Sequence, residues 1–470
     1  WVLRADKLIF VQARPITTLP LFVDGTTRLW DNSNIVESYS GTTSPLTYSF
    51  AKRAYTFVYR QFCEVAGVPK HVIAANDAIF AQMIGYVDGR IYYNLNAWYR
   101  VVGMLPGYRF NKTFMEEMMG VAEAAQIAQR EGRREQAGSF LLQAWWAVRA
   151  LAHMALHVVT LPRQVRTWQR LFVLHHAPLR RRDFLKSTLD ELSDDVNALE
   201  RRFLQHWQVP ILNDFFTMIF FGVLRRLCAK WLVTPDNLAN DLMVQVGDLA
   251  SAAPADALRR IADRIRGDTA LRTAFDATSD EAMWQAIQGS GPLCVLRPHV
   301  DDHIDRFGHR RMEELKLETP DLSDEPAPLF GLLRNMVSQS VDANVALRRD
   351  RLRLAAEEKA RELLQKSRWR RLVFFEVLHR ALFHVRARES MRMQRSEIFG
   401  VARRIYLAAG KHLAVLGVLE QQRDIFYLGT EEIWSFVQGT AISSDLKAQV
   451  ALRKRAAEKH RGVPPRFSCQ

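Results

Sequence analysis

The sequence predicts a mainly α protein: a large multi-helix domain carrying a small β-hairpin, with a short terminal strand in front of it. Three observations predict this. From about Asn111 to Leu249 apolar residues recur at helical spacing almost throughout, and helical patterning returns from Val341 past Gly400. Met83 to Asn94, MIGYVDGRIYYN, alternates like a hairpin around Asp88-Gly89. Leu8 to Arg14, LIFVQAR, is a β-prone run stopped by Pro15.

Composition bounds what such a fold can do. The 470 residues are 48% hydrophobic and 25% charged, enough for one large core or two to three ordinary ones. A net charge of +14 suits an anionic partner. The charge is mostly Arg spread along helices, with no block of five or six like charges, so no nucleic-acid arm is indicated. Cys63, Cys228, Cys294 and Cys469 are scattered without a CxxC. They read as reduced thiols in a cytoplasmic protein. The longest apolar run, Val209 to Leu224, is interrupted by Asn213 and Asp214, and reads as a buried core helix. No membrane partner is expected. The chain opens on Trp1 within a strand pattern and closes on PPRFSCQ, and it reads as a piece of a longer protein.

Taken in order, Gln12 and Arg14 are two apart and project from one face of the first strand. Residues 16–29 read as a linker. Asn32 or Ser33 caps a short helix, Ile35 to Tyr39, which Gly41 ends. Pro45 opens a helix running to about Ala66 and stopped at Gly67. After the hairpin, Asn96 caps another helix. The long helical stretch is expected to break at Gly132, Gly138, Pro162, Pro178, Pro210 and Pro235. His153 and His157 stand four apart, a spacing metals use, but no acidic or Cys partner is near, and packing accounts for them as it does for His175-His176. Asn240 to Ile261 reads as two helices about a turn at Ser251 to Pro254, and short helices follow to Gln288. His299, Asp301, Asp302, His303, Asp305 and His309 form the richest metal-like cluster, to which no metal is assigned. A charged helix spans roughly Val341 to Trp369, and a further helix leads into HVRARESMRMQRSEIFG, His384 to Gly400. There Arg388, Glu389 and Arg392 fall at i, i+1 and i+4. Two guanidiniums a turn apart can grip a phosphoryl group with forked hydrogen bonds. A carboxylate beside them can hold one Arg or accept a hydroxyl proton.

Several of these stretches carry a resemblance. VQARPIT resembles the last strand of the ATP-grasp nucleotide-binding domain in the pyruvate phosphate dikinase and phosphoenolpyruvate synthase group. That resemblance implies that Gln12 and Arg14 touch ATP phosphates. LWDNSNIVESYSGTTSPLT is similar to the start of the acceptor-substrate domain of rifampicin phosphotransferases, through Trp30, Asn32, Asn34, Glu37, Gly41, Pro45, Leu46 and Thr47. It implies Asn34 and Glu37 as substrate-pocket residues. Phe307-Gly308-His309-Arg310, with Glu314, Leu315, Leu317 and Pro320, resembles a further family segment that is not a metal motif, and it implies His309 and Arg310 as a polar site wall. The family carries an Arg-Glu pair followed by a basic residue where Arg388, Glu389 and Arg392 stand. This implies contacts to the phosphate being passed and to the acceptor hydroxyl. Arg392 replaces the Lys of close relatives, keeping the charge but changing the donor geometry.

The resemblance implies three parts: the end of an ATP-grasp domain in 1–20, a helical acceptor domain in 21–455, and a linker in 456–470 towards a swivelling His domain outside this chain. None of the thirteen His sits in the T-x-H-G loop of that domain. ATP and Mg2+ are implied for the full-length protein and neither for this segment, which is expected to be inactive alone. The expected partners are a small hydroxyl-bearing acceptor and the two absent domains. The competing reading is a non-catalytic helical scaffold derived from the same family. A basic helical nucleic-acid binder fits the charge alone.

Overall fold

Ser44 starts the first long helix. Its hydroxyl accepts from the Thr47 amide at 3.2 Å, and Pro45 fills a position whose N–H has no helical partner anyway. The helix, α1 (Pro45–Val65), is stopped by Gly67 with φ +82. The structure, a computed structural model, describes residues 2–4, 7–9, 28–105, 140–232, 237–244, 253–310, 313–338, 344–463 and 468–469. Ahead of α1, β1 (Val2–Arg4) and β2 (Lys7–Ile9) pair antiparallel. Gln12 and Arg14 lie outside the described residues. The expected helix Ile35–Tyr39 is a single 3-10 turn, Ile35–Glu37.

The short helices α2 (Lys70–Ala75) and α3 (Asp77–Phe80) lead into the hairpin β4 (Ile84–Val87) and β5 (Arg90–Asn94). With β3 being Trp30–Asp31, the sheet order is β4-β5-β3-β6, where β6 is Ser468–Cys469. Asp88 and Gly89 both take positive φ, +48 and +72, as a two-residue hairpin turn requires. The next helix, α4 (Leu95–Met104), is capped by Asn94 and not by the expected Asn96. Asn94 accepts from the Ala97 amide, whereas Asn96 accepts from the Leu29 amide at 2.9 Å. The extended backbone at the strand end suits Asn94 to the cap.

Two expected breaks do not occur. Pro162 and Pro178 both lie inside α5 (Phe140–Arg181). A helical proline strips the donor from the carbonyl four residues back. For Pro162 that carbonyl is Val158, and Arg380 Nη1 supplies the donor at 2.9 Å. Pro210 sits in the first turn of α7 (Gln208–Leu227), where no helical N–H is needed, after α6 (Leu189–Arg202). Gly132, Gly138 and Pro235 lie outside the described residues. A π-turn, Cys228–Leu232, and α8 (Asn237–Met243) follow.

The helices α9 (Ala253–Gly267), α10 (Thr269–Ala277), α11 (Asp280–Gln288), α12 (Arg297–Phe307) and α13 (Ala327–Ser338) enclose a core of their own around Ile265, Phe275, Leu296 and Phe330. The expected helix Val341–Trp369 is shorter: α14 (Asn344–Leu363) ends in a turn, Leu364 tucks into the core, and α15 (Arg368–Val415) begins afresh. Before β6 come α16 (Thr430–Val437) and α17 (Leu446–Arg461), so residue 455 falls within a helix.

The main core gathers around α15, whose Ala402, Ile405, Tyr406 and Ala409 meet α1, α6, α7 and the 3-10 segment Gln422–Tyr427. The helical run Leu189–Leu232 is the one described stretch long and apolar enough to cross a membrane by length and composition, and its α7 part packs lengthwise on α15. Gly410 lets the 3-10 segment lie against α15, because a Cβ there would collide with the Gln422 carbonyl and crowd Ile425. Gly410→Ala is expected to lower stability by about 1–3 kcal/mol, the usual cost of overpacking. A fall in the urea midpoint with an unchanged denaturant slope checks this.

Candidate functional site

Three helices present matching stripes to one hollow. On α1 these are Ala54, Tyr55, Val58, Tyr59 and Phe62; on α7, Ile211, Asp214, Phe215 and Met218; on α15, Arg395, Ile398 and Phe399. Each set follows helical spacing, so each is one face. Trp98 of α4, Tyr93 of β5, Tyr39 and Trp207 complete a cavity of about 310 Å3. Aromatic rings dominate its wall. The tyrosines supply polar points: the Tyr55 and Tyr93 hydroxyls lie 3.4 Å apart, and burial raises the pKa of both, keeping them as neutral donors.

Charge is confined to one side. Arg388, Arg392 and Arg395 fall at i, i+4 and i+7 and share a stripe of α15 that spans roughly 10 Å. Arg395 lines the cavity, and its buried Nε finds no hydrogen-bond acceptor among the described residues. Arg388 Nε lies 3.6 Å from Asp214 Oδ1, and Arg392 Nη1 lies 3.6 Å from Glu389 Oε1. The Arg388 and Arg392 side chains are 45% and 52% exposed, Glu389 28%. The sequence-derived trio therefore stands at the rim, linked to the cavity through Asp214.

Asp214 faces the hollow. Its side chain is 54% accessible, yet protein surrounds the hollow, and the loss of bulk solvent pushes its pKa up to about 6. Arg388, Arg395 and Arg392 pull the other way, and Glu389 adds to the rise. Its neighbour Asn213 positions it. Asn213 Nδ2 donates to the His384 carbonyl, and His384 Nδ1 lies 2.9 Å from Asn213 Oδ1. Behind them, Trp168 Nε1 donates to Gln394 Oε1 at 2.9 Å and ties α5 to the same stretch of α15.

The other sequence-derived residues lie elsewhere. Asn34 is half-buried and Glu37 exposed on the 3-10 turn; neither lines the cavity, although Tyr39 two residues on does. His309 packs behind α15, against Gly400, in a second hollow with His176, Arg180, Glu397 and Arg404. Arg310 pairs with Glu314 at 3.4 Å. Within the metal-like cluster, His303 is buried against Phe307, while Asp301 and Asp302 pair with Arg297 and Arg306. Sequence reasoning missed Asp214 and Arg395. The signals were an acid inside an apolar run, and a third Arg at i+7 of the stripe.

Residues 209–389 match the family described as rifampicin phosphotransferase fourth domain, a span running from α7 through Asp214 to Arg388 and Glu389. The prodigiosin-synthesizing transferase PigC of Serratia marcescens is 21% identical over 486 residues of alignment, covering 98% of this chain and 52% of that protein. The rifampicin phosphotransferase of Streptomyces sviceus is 26% identical over 299 residues, 61% of this chain and 33% of that protein. The chain thus spans about half the length of the first and a third of the second. These likenesses support the phosphoenolpyruvate synthase-like arrangement of rifampicin phosphotransferases.

The Asn213–His384 support has a pH signature. Burial, with Arg380 adding, lowers the His384 pKa from 6.5 to about 4, and its Nε2 has no partner among the Phe216, Phe220 and Phe383 rings. As pH falls from 6.5 towards 4 the unfolded chain takes up the proton first, so this contribution to stability drains away across that window. His176 and His303 act in the same sense; the raised Asp214 and Glu397 act in the opposite one. His384→Gln is expected to melt lower at neutral pH but to lose less on acidification than the parent. Melting curves across that range check it.

Proposed function

We propose that this chain binds the phosphoryl acceptor in an ATP-dependent phosphotransferase that relays phosphate through a phosphohistidine. The observation that carries this reading is the arginine stripe running from the rim into an aromatic cavity, with a carboxylate at its mouth. The acceptor's apolar body fills the cavity and its hydroxyl meets Asp214. Arg388 and Arg392 hold the incoming phosphoryl group at the rim, and Glu389 keeps Arg392 in place. Cations around the spreading charge do most of what such a transfer asks of a protein.

The step balances as follows. The P–N bond of the phosphohistidine breaks and the imidazole keeps its electron pair. The acceptor oxygen bonds to phosphorus, and its proton passes to Asp214. A carboxylate with a pKa near 6 is ionised at neutral pH yet basic enough to take that proton. The donor His belongs to a swivelling domain outside this chain. ATP and Mg2+ belong with the ATP-grasp domain, to whose last strand Gln12 and Arg14 are assigned by resemblance.

The test uses the complete protein with ATP, Mg2+ and a panel of aromatic alcohols as acceptors. Labelled phosphate is expected in a small-molecule product, with AMP formed alongside. The isolated chain is expected to form no AMP. Arg388→Ala should lower acceptor phosphorylation at least ~100-fold, as loss of a transition-state cation does, and Glu389→Gln by less. Unchanged turnover in both variants favours the scaffold reading.

Asp214 gives a separate expectation. Turnover should fall below about pH 6 as Asp214 takes up a proton. In Asp214→Asn the rate should be lower by roughly 100-fold or more, and the acid limb of the pH profile should disappear. A variant that keeps the limb assigns the proton to another group.

A further inference from the structure

Far along α7 and α15 from the cavity, the chain turns a corner that none of the preceding chemistry uses. The end of α7 with its π-turn packs against the α14–α15 corner through Leu224, Cys228, Leu232, Leu364, Phe374 and Leu378. Outside that core sit Trp231 and Trp369, edge to face with ring centroids 5.3 Å apart, and Arg370 lies over both rings at 5.8 and 5.6 Å. Trp369 is 61% exposed and Leu372 72%, with Leu363 and Val373 exposed beside them in sequence. Arg225, Arg226, Lys230, Lys366, Arg368, Arg370 and Arg371 are all exposed here. None of the seven forms an ion pair with a described carboxylate, whereas Arg60, Arg259, Arg306 and Arg380 each do. No Asp or Glu occurs in the sequence from Leu363 to Phe375 or from Phe215 to Pro235.

We propose that this corner docks on an anionic phospholipid surface, with Trp369 and Leu372 entering the headgroup layer and the unpaired cations around them meeting lipid phosphates. Both halves of the pattern are needed for that assignment. Cations alone fit any polyanion. Protruding Trp and Leu side chains add affinity at the apolar–polar boundary of a bilayer, where an indole is held by both sides. Surface cations add to this through attraction to an anionic leaflet, which salt weakens. The sequence reading expects no membrane partner; the exposed Trp and Leu among unpaired cations argue against that expectation.

The experiment is co-sedimentation of the 470-residue chain with phosphatidylcholine vesicles, with and without phosphatidylserine. Binding is expected only with phosphatidylserine, and raised salt should weaken it. Trp369→Ser with Leu372→Ser, and separately Arg370→Glu with Arg371→Glu, should each weaken binding at least tenfold. Melting curves confirm that these surface variants stay folded. Brominated acyl chains should quench the fluorescence of the parent more than that of Trp369→Phe. Three results overturn the proposal: equal binding to both vesicle types, binding that the Trp369/Leu372 pair does not alter, or tighter binding to double-stranded DNA or polyglutamate than to the anionic vesicles.

Discussion

The structure depends on how α7 lies against α15, and one buried polar contact sets that register. Asn213 and His384 exchange two hydrogen bonds in the middle of an otherwise apolar interface, with phenyl rings stacked on the imidazole. Sliding α7 by one residue would leave an amide and an imidazole unpaired in the core, each costing about 1–3 kcal/mol. Apolar packing alone tolerates such slips far better, because one methyl group substitutes for another. The residue after Asn213 is Asp214, so the contact that aligns the helices also delivers a carboxylate to Arg388. Register and site are one constraint.

This explains which features were legible in the sequence. Local chemistry was readable wherever a short stretch determines its own conformation: the Asp88-Gly89 turn, and Pro45 opening α1 with Gly67 closing it. The arginine stripe was readable in part, since helical periodicity placed Arg388 and Arg392 on one face. What escaped was set by distant partners. Pro162 stays helical because Arg380, more than two hundred residues on, supplies the donor its ring removes. Asn94 displaces Asn96 as a cap because Leu29 occupies the latter. Asp214 looked like a blemish in a core helix, and only the cavity across from it turns that blemish into a mouth.

α15 also carries two opposed polar faces. One holds the arginine stripe. The other holds Glu397 and Arg404 against His176 and His309. There burial raises the Glu397 pKa to about 7 and lowers that of His309 to about 3, while His176 Nδ1 sits 3.1 Å from a Glu397 oxygen. Around neutral pH the two imidazoles therefore stay uncharged and Glu397 is only part ionised, while Arg404 and Arg180 beside them keep their charge as the arginine stripe does.

Under the proposed function, the distribution of charge around the cavity suits group transfer better than simple binding. A binding pocket for an apolar guest gains little from a guanidinium in its wall, since desolvating it costs more than its contacts return. The stripe makes sense if a second, anionic body arrives from the rim after the guest is seated. The exposures fit that order: Arg388 and Arg392 remain half in water, where a mobile phosphoryl carrier can reach them, while Arg395 lies against the cavity with a buried donor unspent. A graded stripe of this kind, wet at one end and dry at the other, would strip solvent from the phosphoryl group as it advances, which favours the acceptor hydroxyl over water as the nucleophile.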